Sequence, residues 1–223
     1  DGIRDYKVTG VQTCALPIFK QNAILLDIPP QNVDALCKAL EDAGLPARTH
    51  SLRTSLISCT GTEFCNLAVV ETKHRAGRIL RYLEENLEID FPLFISVTGC
   101  PNACAQYQIA DIGLTGSVCN DPDGRVDPTT GKPVKVDAFN VLFGARLGTD
   151  PKFGEMIARG VPADRIQLSL KNVIETYLKE RADEHDAFPT WVDRNEPQRL
   201  QKLVTDAVGT PASSASGEPV AVA

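Results

Sequence analysis

Arg53-Thr-Ser-Leu-Ile-Ser-Cys-Thr-Gly-Thr-Glu-Phe-Cys65 is answered, after a helix-sized interval, by Pro92-Leu-Phe-Ile-Ser-Val-Thr-Gly-Cys-Pro-Asn-Ala-Cys104. Each segment opens on a short apolar run bounded by turn residues, which predicts strands over 53–58 and 92–97. Each run empties into a cysteine pair, Cys59-x5-Cys65 and Cys100-x3-Cys104. The second cysteine of each pair is expected to open a helical stretch, where free amide N–H groups favour a thiolate. Thr60-Gly61 and Pro101-Asn102 are bend-forming pairs that can turn further N–H groups toward the sulfurs.

Working outward from these segments, the helical pattern after Cys65 is expected from Asn66 to Leu87, with Ala76, Ile79, Leu80, Leu83 and Leu87 on one face. A short helix is expected over 105–110 and a strand over 112–118. The Asp-, Pro- and Gly-rich stretch 120–132 then reads as a long hairpin loop leading to a returning strand over 138–147. Asp164 reads as an N-cap for a helix carrying Ile166, Leu170, Val173, Ile174 and Tyr177, and 197–207 as a last short helix. Upstream, 22–28 reads as a strand, and Val33, Leu36, Cys37 and Leu40 form a helical stripe stopped by Gly44, with Cys37 as a core thiol. Strands and helices intermix without a regular βαβ rhythm, which predicts an α+β fold with a mixed sheet and flanking helices.

The two ends read differently. Residues 8–18 have neither helical nor strand periodicity and resemble a translated sequencing adapter joined to a coding sequence. The segment 1–18 is therefore expected to be non-native, Cys14 with it, and the natural protein to extend upstream. The tail 209–223 is rich in Ala, Ser and Pro and is expected to be disordered.

Composition narrows the partners. The chain has 223 residues, 43% hydrophobic and 23% charged, enough for a packed core, and the longest apolar run, near 23–28, is far too short to span a membrane. With 29 acidic against 23 basic residues the net charge is −6, which argues against nucleic acid as the partner. Seven cysteines without a secretory signal fit a reducing compartment, predicting a cytoplasmic protein with free, catalytic or metal-bound thiols.

Four thiols on two loops can hold an iron–sulfur cube. A structural zinc ion also takes four cysteines, although the five-residue gap of the first pair suits it poorly. Disulfides require an oxidising compartment, and four unrelated core thiols leave the shared placement beside Gly, Pro and Asn unexplained. Spacing alone leaves these readings open.

The same residues carry a family resemblance. Ser58-Cys-Thr-Gly-Thr-Glu-Phe-Cys65 with Ala68-Val-Val-Glu-Thr-Lys-His-Arg-Ala76, and Thr98-Gly-Cys-Pro-Asn-Ala-Cys-Ala-Gln106 with Ala110-Asp-Ile-Gly-Leu-Thr-Gly116, resemble the siroheme-dependent nitrite and sulfite reductases from about Asn22 to Tyr177. The resemblance implies that Cys59, Cys65, Cys100 and Cys104 bind a 4Fe-4S cluster and that Cys104 also bridges to the siroheme iron. Asn102 and Gln106 are candidates for hydrogen bonds near cluster or haem. The implied activity is six-electron reduction of a small oxyanion, with ferredoxin as donor. Phe64-Cys65 with Glu71-Thr72-Lys73 looks more like the nitrite than the sulfite enzymes, with assimilatory sulfite reduction and a stand-alone iron–sulfur electron-transfer module as the alternatives.

In this family the basic residues that hold the anion come from the other half of the enzyme, here expected upstream of Gln21. The chain is thus expected to resemble the C-terminal half and to be inactive alone. Residues 19–50 then read as a strand–helix remnant of a ferredoxin-like half-domain, and 51–208 as the 4Fe-4S and siroheme domain.

Several other features have a bland reading. Lys73, His74, Arg75, Arg78 and Arg81 form a solvated helix face or a docking surface for an acidic ferredoxin. His50, His74 and His185 lack metal-ligand spacing and read as surface residues. Gly144-Ala-Arg-Leu-Gly148 lacks the strand-to-helix phosphate-loop pattern and reads as a tight turn, and Cys119 reads as a free thiol.

Overall fold

Apolar side chains alternate with small ones along the strands that lead into and out of the cysteine loops, so one face of the sheet they form can be packed and the other closely approached. The computed structural model describes residues 15–18, 22–45, 51–89, 91–148 and 150–209. It divides the chain into two units, 1–50 and 51–223.

In the first unit β1 (Ala15–Ile18) pairs antiparallel with β2 (Asn22–Leu25), and α1 (Val33–Asp42) follows, ending at Gly44 in the left-handed region. The stretch read as lacking strand periodicity therefore ends in a strand, because backbone pairing with β2 needs no side-chain alternation. No residue of α1 is buried, so Cys37 is half-exposed and not the core thiol expected.

The second unit begins with α2 (Ser51–Ser55) and β3 (Leu56–Ser58). The strand expected from Arg53 is a helical turn over its first half, held by Thr54 and Ser55 hydroxyls donating to the Ser51 carbonyl. The next helix, α3 (Lys73–Asn86), starts seven residues later than the pattern suggested, since the intervening segment is a run of turns. Then come β4 (Ile95–Thr98), a 3-10 turn at Tyr107–Ile109 in place of the short helix, β5 (Ile112–Asn120) and β6 (Lys135–Phe143). The chain finishes with β7 (Glu155–Pro162), α4 (Ile166–Glu180), α5 (Phe188–Asp193) and α6 (Pro197–Asp206). Neither β7 nor α5 was anticipated. Asp164 does not cap α4; its carboxylate pairs with Arg75 and Arg78 instead. The expected tail lies outside the described residues beyond Gly209.

The sheet order is β3-β4-β5-β6-β7, with β3, β4 and β5 parallel and the rest antiparallel, a mixed sheet as expected. Register places Ile95, Ile112 and Phe143 in one row and Val97, Leu114 and Val141 in another. These rows share one core with Ala76, Ile79 and Leu83 of α3 and Leu170, Val173 and Tyr177 of α4. Each buried Val, Leu, Ile or Phe side chain among them contributes about 1.5–3 kcal/mol.

The opposite face presents Ser96, Thr98, Gly113, Thr115 and Asn140. The 99–111 crossover lies against it: the Ser96 hydroxyl donates to the Ala105 carbonyl, and a Cβ on Gly113 would fall 2.1 Å from the Tyr107 carbonyl oxygen.

Candidate metal centre

Cys59 directly follows β3 and Cys100 follows β4 by one residue, and because these strands are parallel neighbours both loops leave the sheet at the same end. That end, outside the carboxyl termini of parallel strands, is the usual ligand position of such sheets. The Cys59 amide donates to the Val97 carbonyl at 3.0 Å, carrying the ladder one residue past β3.

Gly99 couples the loops. Its N–H donates to Cys59 Sγ at 3.1 Å, and its carbonyl accepts the Val69 N–H at 2.8 Å. A Cβ here would meet Ala68 Cβ at 3.0 Å and the Val70 carbonyl oxygen at 3.1 Å, so a larger residue would push the loops apart. Gly116 supports the same point from β5, with its missing Cβ only 2.2 Å from the Gly99 carbonyl oxygen.

Within the first loop the Cys65 amide donates to the Gly61 carbonyl at 3.0 Å, closing a turn that needs the left-handed backbone of Gly61. In the second loop the left-handed residue is Ala103, not Pro101 or Asn102, and Asn102 is exposed. Gln106 is also left-handed, and its amide donates to the Ala103 carbonyl at 2.7 Å. Non-glycine residues hold that conformation at a cost of about 1–3 kcal/mol, and such strain gathers at functional sites. The Gln106 Oε1 atom is buried without a hydrogen-bond partner, which leaves an acceptor available beside the second cysteine pair.

Cys100 is buried, Cys59 and Cys65 half-buried and Cys104 exposed, all as free thiols. Neither Cys65 nor Cys104 opens an α-helix: α3 begins eight positions after Cys65, and only the 3-10 turn follows Cys104. The expected helix-end stabilisation of thiolate is therefore absent at these two residues, and the observed amide contact to sulfur comes from Gly99.

Among the described residues no three His, Cys, Asp or Glu side chains approach closely enough to share one metal ion. An iron–sulfur cube makes a different demand, because each thiolate binds its own iron at a separate corner and the sulfurs stand wider apart than around a single ion. Four free thiols on two loops leaving the same end of the sheet are the donor type such a cube takes.

Around the centre, Phe64, Leu67 and Val69 of the first loop are exposed. Arg75 spends its charge internally, reaching Asp137 at 3.0 Å and Asp164 at 2.7 Å, and Lys73 Nζ donates to the Ser58 carbonyl. His74 and His185 are exposed, while His50 lies outside the described residues. The 144–148 segment is not the tight turn expected: between left-handed Gly144 and Gly148, Arg146 bridges antiparallel to Lys152 through two backbone hydrogen bonds, and its side chain pairs with Asp150 and Asp193. Burial pushes the Cys119 thiol above its usual range, as suits an unreactive free thiol.

Sequence reasoning missed Thr72, Gly99 and Gly116 as parts of the site. Gly116 did carry a signal, since a glycine inside a strand marks close backbone approach.

Comparison with known proteins assigns the family. A profile described as "Nitrite and sulphite reductase 4Fe-4S domain" matches residues 50–211. A sulfite reductase (ferredoxin) of Mycobacterium tuberculosis is 35% identical over 81% of this chain and 32% of its own length. A chloroplastic ferredoxin–nitrite reductase of Zea mays is 34% identical over 64% of the chain and 24% of its own length. The solved structure of the Mycobacterium tuberculosis NirA protein superimposes with a TM-score of 0.70 at 35% identity, over 81% of this chain and 32% of that one. The chain spans about a third or less of the length of these curated relatives. Sequence and fold together place the chain in the nitrite and sulphite reductase 4Fe-4S domain family.

Proposed function

We infer that the chain supplies the iron–sulfur and siroheme part of an assimilatory, cytoplasmic, ferredoxin-dependent reductase that converts nitrite to ammonium. The observation that carries this reading is the Gly99 N–H to Cys59 Sγ contact, which ties the two cysteine loops together at one end of adjacent parallel strands.

Cys59, Cys65, Cys100 and Cys104 are the residues that would hold the cluster, and Cys104, the most exposed of them, is the one that would also help to hold siroheme. Held by these residues, the two groups would supply the single-electron chemistry for a six-electron reduction. The chain's own contribution is to bind and to orient. Gly99 directs an N–H at a ligand sulfur, and Gln106, whose carboxamide oxygen has no partner in the protein, has an NH2 group that would donate to a sulfide or carboxylate of the incoming group. Asn102, exposed at the tip of the second loop, is the remaining candidate for a polar contact to it. Lys73, His74 and Arg81 stay exposed on α3 and are the charges available to an acidic ferredoxin, Arg75 being already neutralised.

A second reading, sulfite to sulfide, is favoured by the Mycobacterium tuberculosis relative, which bears that name and aligns over 81% of the chain. The test is iron, acid-labile sulfide and siroheme content of anaerobically purified protein, wild type against Cys59→Ser and Cys100→Ser. Four cluster irons and four acid-labile sulfides per wild-type chain, with one further iron for each siroheme bound, are expected, the cluster irons being lost in both variants; equal iron in all three refutes the ligand assignment. Comparing kcat/KM for nitrite and sulfite in the full-length enzyme, with reduced ferredoxin, decides between the two substrates.

A further inference from the structure

Thr72 stands where the two cysteine loops meet. It is fully buried at the residue preceding α3, and its carbonyl accepts the first helical hydrogen bond, from the Ala76 amide at 2.8 Å. A threonine in that position ordinarily turns its hydroxyl onto an amide of the first helical turn. Thr72 makes no such bond. The neighbouring Glu71 does the capping, its carboxylate accepting the N–H groups of His74 and Arg75 at 2.9 and 3.1 Å.

The hydroxyl so released donates to the Cys59 carbonyl at 2.6 Å and lies 3.7 Å from Cys59 Sγ. The rest of the side chain fills the gap between the loops. A Cβ on Gly61 would fall 2.7 Å from Thr72 Oγ1, and one on Gly99 would fall 3.4 Å from its Cγ2. One buried side chain thus touches the carbonyl and sulfur of the first cysteine, the turn leading to the second, and the glycine preceding the third.

We propose that Thr72 is a positioning residue of the cluster site: its hydroxyl, by donating to the Cys59 carbonyl, fixes the Cys59 main chain so that Sγ meets the Gly99 N–H. This rests on the reading that Cys59 ligates a 4Fe-4S cluster. An N–H donated to a ligand sulfur stabilises the electron added on reduction, so loosening the Gly99 contact by freeing the Cys59 main chain disfavours the reduced form.

The step read is transfer of one electron from dithionite to the oxidised cluster, with no bond broken and no proton taken up. Thr72→Val keeps the shape and removes the hydroxyl, Thr72→Ala removes both, and Thr72→Ser keeps the hydroxyl. Reductive titration followed by electron paramagnetic resonance, with iron content and thermal melting measured alongside, compares them with wild type. Both hydroxyl-free variants are expected to show a reduction equilibrium constant about tenfold smaller, about 59 mV for one electron, or to lose the cluster outright, while Thr72→Ser stays near wild type. Potentials unchanged in Val and Ala, even with lower melting temperatures, overturn the proposal, as does a Ser variant shifted like the other two. Wild-type protein without iron refutes the cluster reading itself, and this inference with it.

Discussion

A methyl group on Gly116 tests whether the cysteine loops are held by backbone contact as the structure indicates. Its Cβ would lie 2.2 Å from the Gly99 carbonyl oxygen, 2.7 Å from the carbonyl carbon and 2.9 Å from Val70 Cγ2. Cβ contacts below 3.0 Å are essentially never seen, so the carbonyl must retreat by at least 0.8 Å, and it belongs to a main chain that cannot swing aside. Overpacking of this kind costs about 1–3 kcal/mol. The displaced carbonyl also accepts the Val69 N–H, and weakening that bond adds about 1 kcal/mol.

Gly116→Ala is therefore expected to destabilise the protein by about 3 kcal/mol, lowering the melting temperature by about 6–12 °C in a unit of this size. Gly77→Ala is the matched control: Gly77 lies within α3 with nothing within 4 Å of its Cβ position, and the change should stabilise the helix by about 0.5–1 kcal/mol. Circular dichroism melts supply the measurement. A Gly116→Ala protein that melts with the wild type would refute the contact between β5 and the second cysteine loop.

Two further predictions concern the surroundings of the site. Gly61→Ala and Gly124→Ala both force a methyl onto a left-handed backbone, at about 1–2 kcal/mol, but only at Gly61 does the new Cβ also fall 2.7 Å from Thr72; urea midpoints should fall much further for Gly61→Ala, and equal shifts would contradict the packing. At Asp164, burial pushes the carboxyl up, but the hydrogen bond and charge of Arg75, with Arg78, outweigh it and hold the group below the usual carboxylate range. Its folded value is thus below the unfolded one, so its stabilisation is complete above about pH 4 and is lost as pH falls through the folded value. Arg75→Ala should flatten that acid limb in urea midpoints measured against pH, and an unchanged limb would show that the ion pair carries no stability.

Much of this was legible before any coordinates. β5 and α4 announce themselves by apolar periodicity, because each buries a regular face on the common core. The cysteine pairs announce the site because no ordinary packing rule explains such spacing beside Gly and Pro. Other elements were hidden for physical reasons. Arg53–Ser55 sits next to a true strand, and only the serine and threonine hydrogen bonds to Ser51 make it helical. β7 carries Arg159 and left-handed Gly160 in its middle and pairs with β6 through register shifts, so alternation is broken where it would be sought. The segment 66–72 imitates a helix with Leu67 and Val69, yet both are exposed. Thr72 resembles an ordinary helix cap in sequence; its different task follows from Glu71 and Cys59, which local pattern cannot reveal.

The parallel pairing of β3 and β4 dictates an order of events during biogenesis. Until those strands, distant along the chain, have zipped together, each loop offers only a separate pair of thiols, and bringing the pairs into range requires closing the long intervening segment with its helix. Nascent or partly folded polypeptide consequently presents two incomplete half-sites, exposed to oxidation and to stray metals. On the ligand set proposed above, a centre that needs all four thiolates can be completed only after tertiary structure has formed, and not on an extended chain.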